Sequence, residues 1–397
     1  MPVTLSYPGV YVDELPSGVH TIVGVSTSNT AFIGTAPRGQ DNFPVSISGM
    51  SDFERKFGGL SSSSGLGYAV RDFFLNGGSQ AYVVRIIRNT DTTAANNATS
   101  ATINTGGAAG ALKLTAKSPG SWGNQLSVTI DYTGIVQPPQ SYNLTVLDAG
   151  ANIQEKYASV SLDPNSPRSL YRALDRSYLV KVAPGAAPTA APPAGTLTAD
   201  NKSGSDGKTP VDQGDFIGNE AAKTGLYALR KLQVELFNLL CIPPIAPDAS
   251  KATMQAILSP ALALCVEKRA MLIVDPPLEW DSVDSVVADM ADPFIAGDPA
   301  RNAAVFFPRL LQPDPLDDNR VHTFAPCGSV AGVFARTDAQ RGVWKAPAGI
   351  DASLSGVPDL GIVNPDPQQA ILRLTDLENG RLNPLGVNCL RSFPIIG

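Results

Sequence analysis

The sequence predicts a mixed α/β (α+β) fold: a mainly parallel α/β core, interrupted by a β-rich insertion and preceded by an extended N-terminal arm. Three observations carry this expectation. Short apolar runs alternate with helix-period segments both before residue 90 and after residue 201, as in a parallel sheet covered on both faces. At Thr90 the composition shifts to Thr, Ala, Asn and Gly, and the segments that follow alternate apolar and polar residues in the manner of half-buried strands. The first 22 residues combine Pro8 and Pro16, which oppose helix, with the strand-forming Val10-Tyr11-Val12. The implied division is an arm at 1–22, the first part of the core at 23–89, the insertion at 90–200 and the second part of the core at 201–397. An arm of about 20 residues could reach on the order of 65 Å when fully extended, well past its own core.

Ala31-Phe32-Ile33-Gly34 reads as the first buried strand. Ser51-Asp52-Phe53-Glu54 has capping-box spacing for a brief helix ending at Gly58-Gly59. Leu66–Leu75 places Val70, Phe73 and Phe74 on one helical face and stops at Asn76-Gly77-Gly78, after which Ala81–Ile87 is a strand. Within the insertion, strands are expected at 112–115, 126–132, 142–147 and 156–162, with a Pro/Ala-rich loop over Ala183–Gly195. Beyond a loop at 202–215 come a helix over Asn219–Arg230 and a strand over Val234–Ile242 that is stopped by Pro243-Pro244. A helix over Ala249–Lys268 follows, kinked or divided at Pro260. Further strands are expected at Ala270–Val274 and Ala303–Phe307, on either side of a helix near 281–290. A helix at about 326–339 carries Val330, Val333, Phe334 and Thr337 on one face. Gly328, Ser329, Ala331, Gly332 and Ala335 keep that helix thin enough to pack closely.

Composition narrows the function classes. The 397 residues are 43% hydrophobic and 17% charged, enough for two or three globular units with sizeable cores. A net charge of −6 argues against nucleic acid as the main partner. No apolar run approaches the roughly 18–20 residues that span a bilayer, so no membrane association is expected. The start, Met1-Pro2-Val3-Thr4, lacks the basic opening and apolar core of a signal peptide, which points to the cytoplasm. Cys241, Cys265, Cys327 and Cys389 are scattered and form no CxxC pair, so they read as reduced, mostly buried thiols.

Candidate chemistry is sparse. Ser203-Gly204-Ser205-Asp206-Gly207-Lys208-Thr209 ends like a phosphate-binding loop, but Lys202 stands where its first glycine belongs. His20 and His322 are the two histidines available for a triad or a zinc site. Carboxylates cluster at Asp275, Glu279, Asp281, Asp284 and Asp289, and again at Asp314, Asp317 and Asp318. Asp275 falls at the end of a strand, where α/β enzymes place active sites. Neither cluster has calcium-loop spacing, and Asp281, Asp284 and Asp289 fit a solvated helix face. Arg336, Asp338, Arg341, Trp344 and Lys345, on or just after the thin helix, are residue types that anchor protein–protein contacts, although an internal Arg–Asp network with a half-buried Trp fits equally well. No catalytic residue, metal or cofactor is expected.

Several blocks, in order, are similar to those of the sheath proteins of contractile phage tails and related injection systems. They are Tyr7-Pro8-Gly9-Val10-Tyr11-Val12, Thr30–Gly34, Ala36-Pro37-Arg38-Gly39, Asp52–Gly59, Val70–Gly78, Ser118–Asn124, Leu236–Pro244 and residues 323–349. The resemblance implies a non-enzymatic subunit that polymerises around an inner tube and contracts to drive the tube through a target envelope. Its implied partners are further copies of itself, the inner tube, the baseplate and terminator or cap proteins. Its implied location is the cytoplasm during assembly and a virion tail or tail-like particle afterwards. In the resemblance, Tyr7, Pro8, Gly9, Val10, Tyr11 and Val12 belong to an arm donated to a neighbour's sheet, and the insertion faces outward. Family members continue beyond the block at Gly386–Pro394, with an inner segment and a C-terminal arm that this sequence does not contain. A sheath-like cap or adaptor protein, and an α/β hydrolase or nucleotide-binding enzyme using Asp275 or Lys208, remain as alternatives.

Overall fold

The computed structural model describes residues 27–392 apart from 89–90, 106–111, 137–139, 185–190, 210, 234–235, 246–248, 292–294, 296 and 365–369. The arm stretch Tyr7–Val12 and His20 lie outside the described residues. The first part of the core comprises β1 (Thr30–Gly34), β2 (Val45–Ile47), α1 (Met50–Phe57), α2 (Leu66–Leu75) and β3 (Ala81–Arg85). The strands of the insertion are β4 (Thr102–Asn104), β5 (Lys113–Ala116), β6 (Leu126–Asp131), β7 (Ser141–Asp148) and β8 (Ile153–Ser161); then come α3 (Leu170–Asp175), β9 (Val180–Val182) and β10 (Gly195–Thr198). The chain returns through α4 (Gln213–Ile217), β11 (Leu239–Cys241), α5 (Lys251–Lys268), β12 (Met271–Val274), α6 (Val283–Ala291) and β13 (Ala303–Phe307). A hairpin of β14 (Arg309–Asp314) and β15 (Arg320–Phe324) leads into α7 (Cys327–Arg341), β16 (Asp359–Gly361), α8 (Asp376–Leu382) and β17 (Val387–Cys389).

One seven-stranded sheet, in the order β17-β13-β12-β11-β1-β3-β2, organises the core, and only β2 runs antiparallel to its neighbour. Its central pair, β1 and β11, joins the two parts of the chain in parallel, with Thr30 opposite Leu239. Strands buried on both faces need apolar residues at successive positions, and β1, β3 and β11 are buried throughout. The two-residue period then deals them to opposite cores. Ala31, Ile33, Tyr82, Val84 and Leu240 face α5, α6 and α8. Phe32, Val83, Cys241 and Ile273 face α1, α2 and α7. The insertion has its own core, shared by the antiparallel sheet β10-β6-β7-β8 and the smaller sheet β4-β5-β9. Along β6 and β7 buried and half-buried residues alternate, as the sequence pattern requires.

Several local expectations differ from the structure. The box at Ser51 does not form: α1 starts at Met50 behind Gly49, two residues before a Ser51 cap would place it, and no side chain caps it. Asp52 turns instead to Lys56 at 2.9 Å and to Arg55. The helix expected over Asn219–Arg230 is replaced by α4, capped by a reciprocal Asp212/Asp215 box, and a 3-10 segment at Gly225–Lys231. The cause is a pair of glycines with left-handed backbones, Gly218 and Gly225 (φ 71° and 60°), packed so closely that a Cβ on either would lie 2.6 Å from backbone of the other. Of the strand expected over Val234–Ile242, the described residues keep Leu239–Cys241. Pro260 sits inside α5 without dividing it. The acidic stretch 313–319 forms the end of β14 and a tight hairpin turn, with Asp318 and Asn319 both at positive φ.

Candidate functional site

The strand order reverses between β1 and β11, so the carboxyl edge of the sheet at this point is where open α/β folds bind ligands. A cavity of about 670 Å³ lies there. Ser64, Tyr68, Arg309, Asp314, His322 and Phe324 are among its lining. Its polar groups are largely tied to one another. Tyr68 donates its hydroxyl to Asp314 at 2.8 Å, and His322 Nε2 lies 2.7 Å from Asp317. Burial and the Asp314 carboxylate both push the Tyr68 phenol well above its ordinary value.

Asp275, the residue after β12, is only 2% exposed. One of its oxygens accepts from the Cys327 N–H at the start of α7, at 2.8 Å, and the other has no partner. Burial pushes its pKa up to about 6, against the opposing pull of Cys327 and Arg309. Arg309 is buried as well and donates to the Pro276 carbonyl. The Cys241 and Cys327 thiols are raised by burial, opposite to the depression that activates a nucleophile. Asp275 is therefore built as a buried acceptor for a helix N-terminus.

The remaining sequence candidates fall apart as sites. Around 203–208 the backbone N–H groups that would cradle a phosphate are already used. Gly204 donates to Asn124 at 2.8 Å, Ser205 to Thr99 at 3.0 Å, Gly207 to Ser205 Oγ at 3.0 Å and Lys208 to Asn96 at 2.9 Å. Asp289 holds Lys251 and the Trp280 indole N–H, both at 2.7 Å, Asp284 pairs with Arg381 at 2.6 Å, and Glu279 accepts from the Lys251 N–H. Among the described residues no group of three His, Cys, Asp or Glu could hold a metal ion.

The thin helix delivers a different kind of surface. A Cβ on Gly328 would lie 2.0 Å from the Ala69 carbonyl oxygen, and one on Gly332 would lie 2.5 Å from that of Phe73. The small residues of α7 thus bring its backbone against α2 as well as the sheet. At its far end the side chains turn outward. Arg336 donates to the Ser353 carbonyl and lies over Gly77, Asp338 accepts from Ser28 at 2.6 Å, and Lys345 donates to Ala346. Trp344 is 84% exposed, so the internal network with a half-buried Trp is not what forms.

Sequence reasoning passed over the arginines that join the insertion to the core. Arg38, 2% exposed, pairs with Asp148 at 2.6 Å and donates to the carbonyls of Glu54 and Arg55 at the end of α1. Arg85, on β3, gives hydrogen bonds to the carbonyls of Ala36, Pro37, Gly39 and Pro119. Arg88 instead ties the two parts of the core together, reaching Asp212 at 2.6 Å and Asp215 at 2.9 Å. The available signal was an arginine inside the apolar run Ala81–Ile87, a position that needs several acceptors if it is to be buried.

The doubly covered parallel sheet with its β insertion shares its fold with sheath tail proteins. A sheath tail protein from Listeria innocua matches over 94% of this chain and 67% of its own, with a TM-score of 0.57 at 16% identity. One from Desulfitobacterium hafniense matches over 97% of this chain and 72% of its own, with a TM-score of 0.52 at 16% identity. The chain belongs to the DUF2586 family, whose N-terminal domain profile matches residues 9–266. No curated protein matches it in sequence.

Proposed function

We propose that this chain is a structural, non-enzymatic subunit of a contractile tail sheath, one that polymerises around an inner tube and shortens to drive the tube through an envelope. The observation that carries the reading is the sheath-protein fold over nearly the whole chain. The spent state of the candidate chemistry supports it: Asp275 is buried and the loop at Lys208 has its N–H groups engaged. Its partners in this reading are further copies of itself, an inner tube and a baseplate, within a tail or tail-like particle. No helix among the described residues is long and apolar enough to cross a membrane. The arm at Tyr7–Val12 adds a strand to a neighbour, and the Arg336–Lys345 turn is a contact surface. The segment 90–200 projects outward from the lattice.

Electron microscopy of the purified chain, alone and with its tube protein, tests this. Rings or hollow cylinders are expected, and a variant lacking residues 1–20 should stay folded but no longer form them. Absence of any polymer under both conditions, or cylinders of normal order from the deletion variant, would overturn the respective parts.

A further inference from the structure

The described chain begins against α7, the helix that leads into the turn bearing the exposed Trp344. Ser28 Oγ donates to Asp338 Oδ2 at 2.6 Å, so the first described residues lie beside the last turns of α7. Just beyond, α7 ends in a cleft of about 230 Å³ whose wall includes Arg336, Arg341 and Lys345 against one acid, Asp351. Next to this cleft in sequence, Val343, Trp344 and Ile350 are 60%, 84% and 65% exposed, and among the described residues nothing covers them. Large apolar side chains beside a cationic cleft are the ordinary makings of a docking surface. Three cations, set against Asp351, Asp338 and the roughly half negative charge at a helix C-terminus, leave a small positive balance, so the surface favours an acidic occupant.

The segment that starts there has the complementary chemistry. Its charged side chains are Asp13 and Glu14, it has no Lys or Arg, and Val10-Tyr11-Val12 and Leu15 flank the acidic pair. We propose that in the free subunit residues 12–15 of the same chain dock in this cleft, with Asp13 and Glu14 on Arg341 and Lys345 and their apolar neighbours over Trp344. The tether permits it. Glu14 is fourteen residues from Ser28, up to about 45 Å of extended chain, whereas Trp344 is only six residues beyond Asp338, at most about 20 Å even if fully extended. A short tether holds the segment at an effective concentration on the order of millimolar, which favours the chain's own arm over a neighbour's. Self-docking keeps the arm from premature donation until a growing lattice displaces it. This consequence rests on the arm being donated during assembly; the docking itself does not.

Tryptophan fluorescence of the dilute full-length chain tests the proposal. Trp280 is 2% exposed, so changes in acrylamide quenching report mainly on the outer tryptophans. Deleting residues 1–22 should raise the quenching constant about twofold, because water is readmitted around an anchor residue, and should shift emission to the red. Arg341→Glu with Lys345→Glu in the full chain should reproduce both effects, and in a Trp344→Phe background neither change should appear. Protection that is constant from about 0.2 to 20 µM marks docking within one chain. Equal quenching with and without the arm, or protection that grows with concentration, would overturn the proposal. Loss of polymers on arm deletion with unchanged quenching overturns self-docking alone. Protection in a chain that never polymerises supports self-docking and sinks the sheath reading instead.

Discussion

At Asp275, burial outweighs the two groups that favour its ionised form, the Cys327 N–H and the Arg309 guanidinium, and its pKa rises from 3.8 to about 6. The folded chain therefore binds this proton more tightly than the unfolded chain does. The stability it contributes is fully present below about pH 3.8 and is lost as pH rises through about 6, and a rise of that size corresponds to at most about 3 kcal/mol. Asp275→Asn keeps an acceptor for Cys327 and removes the titration. Its unfolding free energy should fall less between pH 4 and pH 7 than that of the parent, and parallel curves from denaturant titrations would refute the assignment. The Arg38–Asp148 pair behaves differently, because its two partners are 2% and 5% exposed and already matched at 2.6 Å. Asp148→Ala leaves a buried guanidinium without its carboxylate, so a loss of about 3–5 kcal/mol is expected. The double variant Arg38→Met/Asp148→Leu should recover much of that loss. Sequence placed Asp275 at its strand end correctly. Whether a carboxylate there faces solvent depends on α7, fifty residues later, which no local pattern reports.

Among the elements, α7 and α2 show how a composition signal becomes geometry. The run Cys327–Ala335 is short of bulk, and the residues that lack bulk, Gly328 and Gly332, are those facing the α2 carbonyls of Ala69 and Phe73. Gly328→Val would force the helices apart and open the cluster around Phe73, Val330 and Ala331. A loss of at least about 3 kcal/mol is expected from overpacking with helix displacement, read as a fall in the denaturant midpoint. Val343→Ala, on the exposed turn, should change the midpoint little. Such thinness could be read from the sequence, and so could most strands of the main sheet, because long apolar runs bounded by Gly and Pro survive any tertiary context. The failures came where tertiary contacts overrode local pattern. The helical composition of 219–230 gives way at Gly218 and Gly225, and β14–β15 owes its hairpin to a turn whose Asp318 and Asn319 accept positive φ. The short β16 and β17 pair with strands distant in sequence and carry almost no periodicity of their own.

At the scale of the whole molecule, the question is whether the insertion and the core move as one body. Their apolar cores are separate clusters, so hydrophobic burial alone does not lock them together. What crosses the junction is polar and buried. Arg38 links the end of α1 to Asp148 on β7, and Arg85 on β3 binds the carbonyl of Pro119 at 2.9 Å together with three carbonyls of the 36–39 turn. Burial pulls the Arg85 pKa down to about 10, which leaves it charged at neutral pH and still in need of all its acceptors. Charge-assisted bonds of this kind are geometrically demanding, so the junction resists bending more than a greasy interface of similar size would. In the proposed sheath role, such stiffness would let a subunit pass displacement from one lattice position to the next. Calorimetry should accordingly show one unfolding transition for the parent chain, with calorimetric and van't Hoff enthalpies in agreement. In Asp148→Ala the coupling is cut on one side while both apolar cores remain, and the endotherm should broaden or split into two. A single sharp transition in that variant, merely shifted to lower temperature, would mean that the two parts are coupled by something other than these arginines.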